Sequence, residues 1–168
     1  MAHKIREINI NDVEKITGLL SKLHNESEFM LYSPGEYAPS MNDAISNLEH
    51  IITSKTDTIL VAETPSNELI GYITLITRKL ERVLHVTRIY MGVLKAFQNK
   101  GIGLHLINEC EAWCKANNLT RIELTVVKEN TPAIQLYERA GYEVEGELRQ
   151  SLKINGTFHN ELVMSKIL

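Results

Sequence analysis

Two short stretches of this chain hold residue types that suit group-transfer chemistry. In the first, Gln98, Gly101 and Gly103 lie in a loop between a β-rich run and an amphipathic helical run. Glycines let backbone N–H groups come close to a phosphate, and a helix N-terminus adds unsatisfied donors and the positive end of its dipole. The loop lacks the GxxxxGKS/T pattern, and it shows only Gly101-x-Gly103 where the dinucleotide fingerprint needs a third glycine. Two glycines also suit a tight turn with no ligand at all. In the second stretch Asn130 and Tyr137 stand seven residues apart, two helical turns, so a cap side chain and a phenol project from nearly the same helix face. Both can line one groove; a Leu136-Tyr137 pair on a helix equally suits core packing.

These residues need elements to hold them. Residues 3–8 read as a strand, and Asn11 can cap a helix whose apolar positions Val13, Ile16, Leu19, Leu20 and Leu23 repeat at three and four. A second helix is predicted over 42–54. The β-rich runs 58–62 and 69–75 flank a turn at 65–68, and a third strand is predicted over 83–94. After Gly103, positions Leu106, Ile107, Cys110, Trp113 and Cys114 mark one helix face that ends near Asn117 and Asn118. A strand over 121–127 follows. Asn130 is a good N-cap, Pro132 is tolerated in the first turn, and Gly141 is placed to end the helix that carries Tyr137. The last two strands are joined by Asn155-Gly156, a strong hairpin signal. The order βααβββαβαββ predicts an α/β fold, a mixed sheet with helices on both faces.

At 168 residues, 43% hydrophobic and 23% charged, the chain fits one domain over 1–168. A net charge of −3 gives no basic field for a nucleic-acid backbone. The start is charged where a signal peptide needs an apolar stretch, and no run approaches the ~18 apolar residues of a membrane span, so a cytoplasmic protein with no membrane partner is expected. Cys110 and Cys114, four apart in a helical pattern, suit reduced core thiols. The six histidines, at 3, 24, 50, 85, 105 and 159, are scattered, and no HExxH or paired CxxC occurs, so no metal is expected.

In this order and spacing the two stretches resemble the GNAT superfamily of acyl-CoA-dependent N-acyltransferases. Gln98, Gly101 and Gly103 match its Q/RxxGxG/A loop, and Asn130, Ala133, Leu136, Tyr137, Gly141 and Tyr142 match NxxAxxLYxxxGF/Y. The tail from Glu145 to Met164 is similar to the amino-acid and protein N-terminal acetyltransferase branch, except that Asn160 stands where an Asp is common. The resemblance implies a single-domain fold with a central mixed, splayed sheet, and acetyl-CoA as cosubstrate. It implies that Gln98, Asn99, Lys100, Gly101, Ile102 and Gly103 grip the CoA pyrophosphate with backbone amides. The backbone near Met91 and Val93 would pair with the pantetheine arm, Asn130 and Ala133 would meet that arm, and Tyr137 would sit by the thioester sulfur. A leaving thiolate must be protonated or hydrogen-bonded, and a phenol with an ordinary pKa of ~10 stays protonated at neutral pH and can donate as general acid.

The implied reaction is direct attack by a primary amine of a small molecule or peptide N-terminus within a ternary complex. The alternative is a non-catalytic CoA-binding sensor or regulatory domain. Many relatives carry a Glu in the middle of the third strand, and that position is Arg88 here. Glu123 on the next strand can act as a base through water, or stand as a salt-bridged strand residue. His85 is the one neutral-pH titrator of the predicted third strand, with a solvent-facing role as the plainer reading. Glu26 and Glu28, in the bend after the first helix where relatives often form the acceptor pocket, can attract a cationic amine or serve as surface charge. An exposed C-terminal strand would allow pairing across a homodimer.

Overall fold

The computed structural model describes residues 2–168. Its elements are β1 (Lys4–Glu7), α1 (Val13–Glu26), α2 (Met41–Thr53), β2 (Thr58–Glu63), β3 (Leu69–Thr77), β4 (Val86–Val93), α3 (Ile102–Ala116), β5 (Arg121–Val127), α4 (Thr131–Arg139), β6 (Glu143–Ile154) and β7 (Thr157–Ile167). The α/β element order is the expected one, and the strands form a mixed seven-stranded sheet in the order β1-β2-β3-β4-β5-β7-β6. The chain divides into two compact units, one holding the residues up to Ile76 with Tyr90–Cys110, the other Thr77–Ile89 with Glu111–Leu168.

In the first unit β1, β2 and β3 are antiparallel neighbours, and all six residues of β2 are buried. The apolar stripe of α1 closes on these strands: Ile16, Leu19 and Leu23 join Leu48, Ile59, Val61, Leu69, Tyr72 and Leu94 in one buried cluster. Asn9, not Asn11, is the side-chain cap: it opens a 3-10 turn over Ile10–Asp12 that runs into α1, whose own N-cap is Asp12. The Asn9 side chain accepts from Asn11 N–H at 3.0 Å, and Asp12 Oδ2 accepts from Asn9 N–H at 3.0 Å, a reciprocal cap that satisfies two orphan donors. Gly92 has a steric reason. A Cβ there would lie 3.1 Å from Leu23 Cδ1 and 3.2 Å from Tyr72 Cε1, so any side chain at this position would have to push Leu23 or Tyr72 aside by a few tenths of an ångström.

Arg6 binds two buried carboxylates at once. Its guanidinium donates to both Asp12 oxygens at 2.7 and 2.8 Å and to both Glu63 oxygens at 2.8 and 3.0 Å, with Lys4 Nζ 2.9 Å from Glu63 Oε2. Hydrogen bonds from Arg6 and then Lys4 hold Glu63 at about 2, against an ordinary 4.5. Between those two values the folded state binds fewer protons than the unfolded chain, so this stabilisation is complete above about 4.5 and is lost as pH falls toward 2. Arg6→Met leaves buried Asp12 without its cation and Glu63 with Lys4 alone, and is expected to cost about 3 kcal/mol in urea unfolding at neutral pH. A loss below about 0.5 kcal/mol, the size of a surface pair, would contradict this.

In the second unit β4 and β5 run parallel through the pairs Val86↔Arg121, Thr87↔Ile122 and Arg88↔Glu123. β5 then pairs with β7, and β7 with β6, both antiparallel. The β6–β7 turn is Asn155-Gly156, with φ of 48° and 83°, the left-handed pair that a two-residue hairpin needs. The C-terminal strand β7 is therefore paired on both sides, contrary to the expectation of an open one. The hairpin folds outward, which leaves β6 as the edge. β4 starts at Val86, later than predicted, because Glu81–Val83 forms a 3-10 turn. Asn160 has a role of its own: Oδ1 accepts from Gln150 N–H at 2.9 Å, and Nδ2 donates to Glu147, which Lys128 also holds at 2.9 Å. An aspartate here would set a second negative charge against Glu147.

Candidate active site

In the first unit β4 runs into a loop that several local bonds shape. Leu94 N–H donates to Ile70 O at 3.0 Å, and the chain then makes a 3-10 turn over Lys95–Phe97. Gln98 Nε2 donates back to Val93 O at 3.0 Å, so the side chain expected to meet the cofactor closes the loop on itself. Lys100 Nζ donates to Ala96 O at 2.7 Å and lies 5.2 Å from the Phe97 ring centre. Asn99 and Gly101 have φ of 58° and 79°, left-handed conformations that asparagine tolerates and glycine favours. Gly101 O accepts from His105 N–H at 3.0 Å, the bond that starts α3. The first-turn amides of Ile102, Gly103 and Leu104 therefore have no carbonyl four residues back to bind, and they carry the positive end of the helix dipole. The Ile102 side chain, 2% exposed, anchors that turn.

The same unit accounts for Glu26. Its Oε2 accepts from Lys95 N–H at 2.9 Å, which fastens the end of α1 to the turn that leads into the loop. Glu28 is exposed in the segment after α1. That segment is tied back on α1: Gly35 N–H donates to Asn25 Oδ1 at 3.0 Å, and the rings of Tyr32 and Tyr37 each lie 5.1 Å from that of His24. His24 is 5% exposed and was passed over as a site residue from the sequence. The signal was its place one turn after Leu20 and next to Leu23, on the apolar stripe.

In the second unit Asn130 caps α4: Oδ1 accepts from Ala133 N–H at 3.3 Å, and its carbonyl accepts from Ile134 N–H at 3.1 Å. This commits the acceptor oxygen and leaves the amide Nδ2 as a donor. Asn130→Ala is expected to lower stability by about 1 kcal/mol, the usual cost of a lost cap, read by thermal or urea unfolding. Tyr137 sits two turns on, 7% exposed, its ring 5.8 Å from that of Tyr142. Burial pushes its phenol well above the ordinary value of 10.0, so at neutral pH it rests protonated and can donate.

Glu123 is surrounded differently. Arg78 Nη2 donates to Oε2 at 2.8 Å and Arg121 Nε to Oε1 at 3.0 Å. Burial works to raise its pKa, but the two guanidiniums outweigh it and hold the carboxyl below the usual carboxylate range. These surroundings weaken it as a base. His85 lies before β4, exposed, and serves through its carbonyl, which accepts from Thr120 and Arg121 N–H at 3.1 and 3.2 Å. Cys110 and Cys114 are buried and not joined in a disulfide. Among the described residues no three His, Cys, Asp or Glu side chains gather as metal ligands do, and no helix is long and apolar enough to cross a membrane.

A family model described as Acetyltransferase (GNAT) family matches residues 21–142. An L-amino acid N-acetyltransferase of Escherichia coli is 29% identical over 104 residues, which cover 60% of this chain and 62% of that protein, so the match spans about three fifths of the relative's length. The fold of a GNAT-family acetyltransferase from Streptococcus pneumoniae superposes with a TM-score of 0.94 at 23% identity, over 99% of this chain and 100% of that one. A phosphinothricin acetyltransferase from Sinorhizobium meliloti, solved in complex with acetyl-CoA, gives 0.85 at 17% identity over 100% and 89%.

Proposed function

Because the chain belongs to the GNAT acetyltransferase family, we propose that it transfers the acetyl group of acetyl-CoA to a primary amine of a small molecule or a peptide N-terminus, by direct attack in a ternary complex. The loop 98–103 carries this reading. Left-handed Asn99 and Gly101 turn the backbone, and α3 begins at once behind them with its free amides, the arrangement that suits a pyrophosphate. Gln98 then acts by shaping the loop, Lys100 adds charge beside it, and the amides of Gly101, Ile102 and Gly103 hold the phosphate oxygens. The backbone of Met91 and Val93 binds the pantetheine amides, where Gly92 keeps β4 free of a side chain. Asn130 offers its Nδ2 to the same arm beside Ala133, and Tyr137 protonates the departing thiolate.

The acceptor class follows from proton arithmetic. Removing a proton at pH 7 costs roughly 4–5 kcal/mol for a lysine side chain of pKa ~10.4, and about 1 kcal/mol for an α-amino group near 7.7–8.0. With Arg88 in place of a strand carboxylate, an acceptor with a low-pKa amine is the better fit, and Glu28 supplies a negative charge on the segment where it would enter. The reading also puts the reaction in the cytoplasm, a reducing compartment that suits two buried cysteines outside any disulfide. The cofactor half is tested by thermal shift. Free CoA is expected to raise the melting temperature, ATP to leave it unchanged, and the reverse result would reject the loop as a CoA site.

A further inference from the structure

Resting on the acetyl-transfer reading, we propose that His24 is the general base, its Nε2 taking the proton from the acceptor's ammonium group. Nδ1 of His24 lies 2.7 Å from the Leu20 carbonyl oxygen. A carbonyl only accepts, so Nδ1 carries the ring proton and the lone pair of the neutral imidazole is on Nε2. Among the described residues no hydrogen bond to Nε2 is found, and His24 as a whole keeps 5% of its surface exposed. The ring is held in place on two sides. Tyr37 stacks on it at an interplanar angle of 25°, Tyr32 meets it edge-on at 84°, and the two phenol rings are 5.4 Å apart.

Helix α1 also sets where this lone pair works. Leu23, the residue before, is the side chain that a Cβ on Gly92 would strike, so this turn of α1 rests on β4 between Met91 and Val93. Those two residues are the ones assigned to the thioester-bearing arm. Both tyrosines come from the segment after α1, where the acceptor is proposed to enter. Two titratable groups face the ring among the described ring contacts, the phenols of Tyr32 and Tyr37. Glu26 and Glu36 are each fixed in place by one backbone N–H, of Lys95 and Ser33, and Glu28 adds an exposed carboxylate on the same segment to attract the ammonium. Glu123, the base suggested by the sequence, has both oxygens on arginines.

The step balances as follows. Nε2 accepts a proton from the ammonium, and the freed nitrogen lone pair forms the C–N bond to the thioester carbonyl carbon. The C–S bond breaks, and the thiolate takes the Tyr137 hydroxyl proton. The surplus proton on the new amide nitrogen returns to the Tyr137 phenolate, and the imidazolium gives its proton to water. One ammonium and one thioester thus yield one amide, one thiol and one proton.

Thiol release is measured for wild type, His24→Ala and His24→Phe with the amine that wild type turns over best. His24→Ala should lose about 10²-fold in kcat at unchanged acetyl-CoA affinity and recover part of it with added imidazole. His24→Phe, which keeps a ring between the tyrosines, should stay low and gain nothing. Wild-type rate profiles for two acceptors of different amine pKa should share one inflection, and His24→Ala should lose it. Wild-type turnover in either variant, no rescue of a folded His24→Ala, or an inflection that follows the acceptor's own pKa overturns the role of His24. Wild-type protein that releases no thiol with any amine overturns the acetyl-transfer reading instead.

Discussion

Tyr137→Phe is expected to lower acetyl transfer by about 10²–10⁴-fold while acetyl-CoA affinity changes little, because it deletes a proton donor and leaves the ring that packs against Tyr142. The size of the effect follows from the leaving group. A CoA thiolate expelled with no donor nearby must leave as an anion into a poorly hydrated site, where an unpaired charge is costly. The Tyr137 phenol is suited to prevent this, since burial raises its pKa and keeps it protonated at neutral pH before the thiolate leaves. Losing one hydroxyl from a residue that is 7% exposed keeps the packing, so the folded state should survive and the loss should appear in kcat. Steady-state kinetics with calorimetric CoA binding read both halves. Wild-type kcat in the Phe variant would return Tyr137 to the core of its helix face.

Gly101→Val is expected to weaken CoA binding by tenfold or more, about 1.4 kcal/mol at the least. Gly101 has φ of 79°, and a β-branched residue there is a backbone outlier that costs on the order of 1–3 kcal/mol. No protein atom lies within 4 Å of a Cβ at this position, so the side chain meets no clash inside the chain and would occupy the space over the loop instead. The loss should therefore fall on the ligand as well as on the loop. Gly101→Asn separates the two causes, since asparagine tolerates left-handed φ yet still fills that space. Equal affinity in both variants, on protein shown to be folded, would refute the loop assignment.

Much of the fold was legible in local signals. Asn130 before Thr131-Pro132, Gly141 after the helix, and Asn155-Gly156 between two β-rich runs each describe a structure that a few neighbouring residues decide. The residues on which the site's electrostatics depend were not legible in the same way. Glu26 is engaged by a backbone amide 69 positions away, and Glu123 by a guanidinium 45 positions away. Nothing near Glu26 announces such a partner, and near Glu123 only Arg121, two residues back on the same strand, does so, which leaves Arg78 unforeseen. His24 was masked for another reason. It occupies the apolar stripe of α1, where a buried histidine looks like packing until the Leu20 carbonyl fixes its tautomer. The start of β4 was misplaced because 81–83 has strand-like composition at Val83 and yet closes a turn through Val83 N–H to Leu80 O at 2.9 Å.

The central claim is that this chain is a catalyst of acetyl transfer to an amine. Its most direct measurement is continuous release of free CoA thiol from acetyl-CoA with a panel of amino acids, polyamines, aminoglycosides and peptides with free or blocked N-termini. The account predicts amine-dependent release for at least one acceptor carrying a low-pKa primary amine, with the acetylated amine as product. Binding of acetyl-CoA with no release above background for any amine would contradict it, and would mark the chain as a CoA-binding sensor; efficient acetylation of internal lysine in a blocked peptide would contradict the acceptor class.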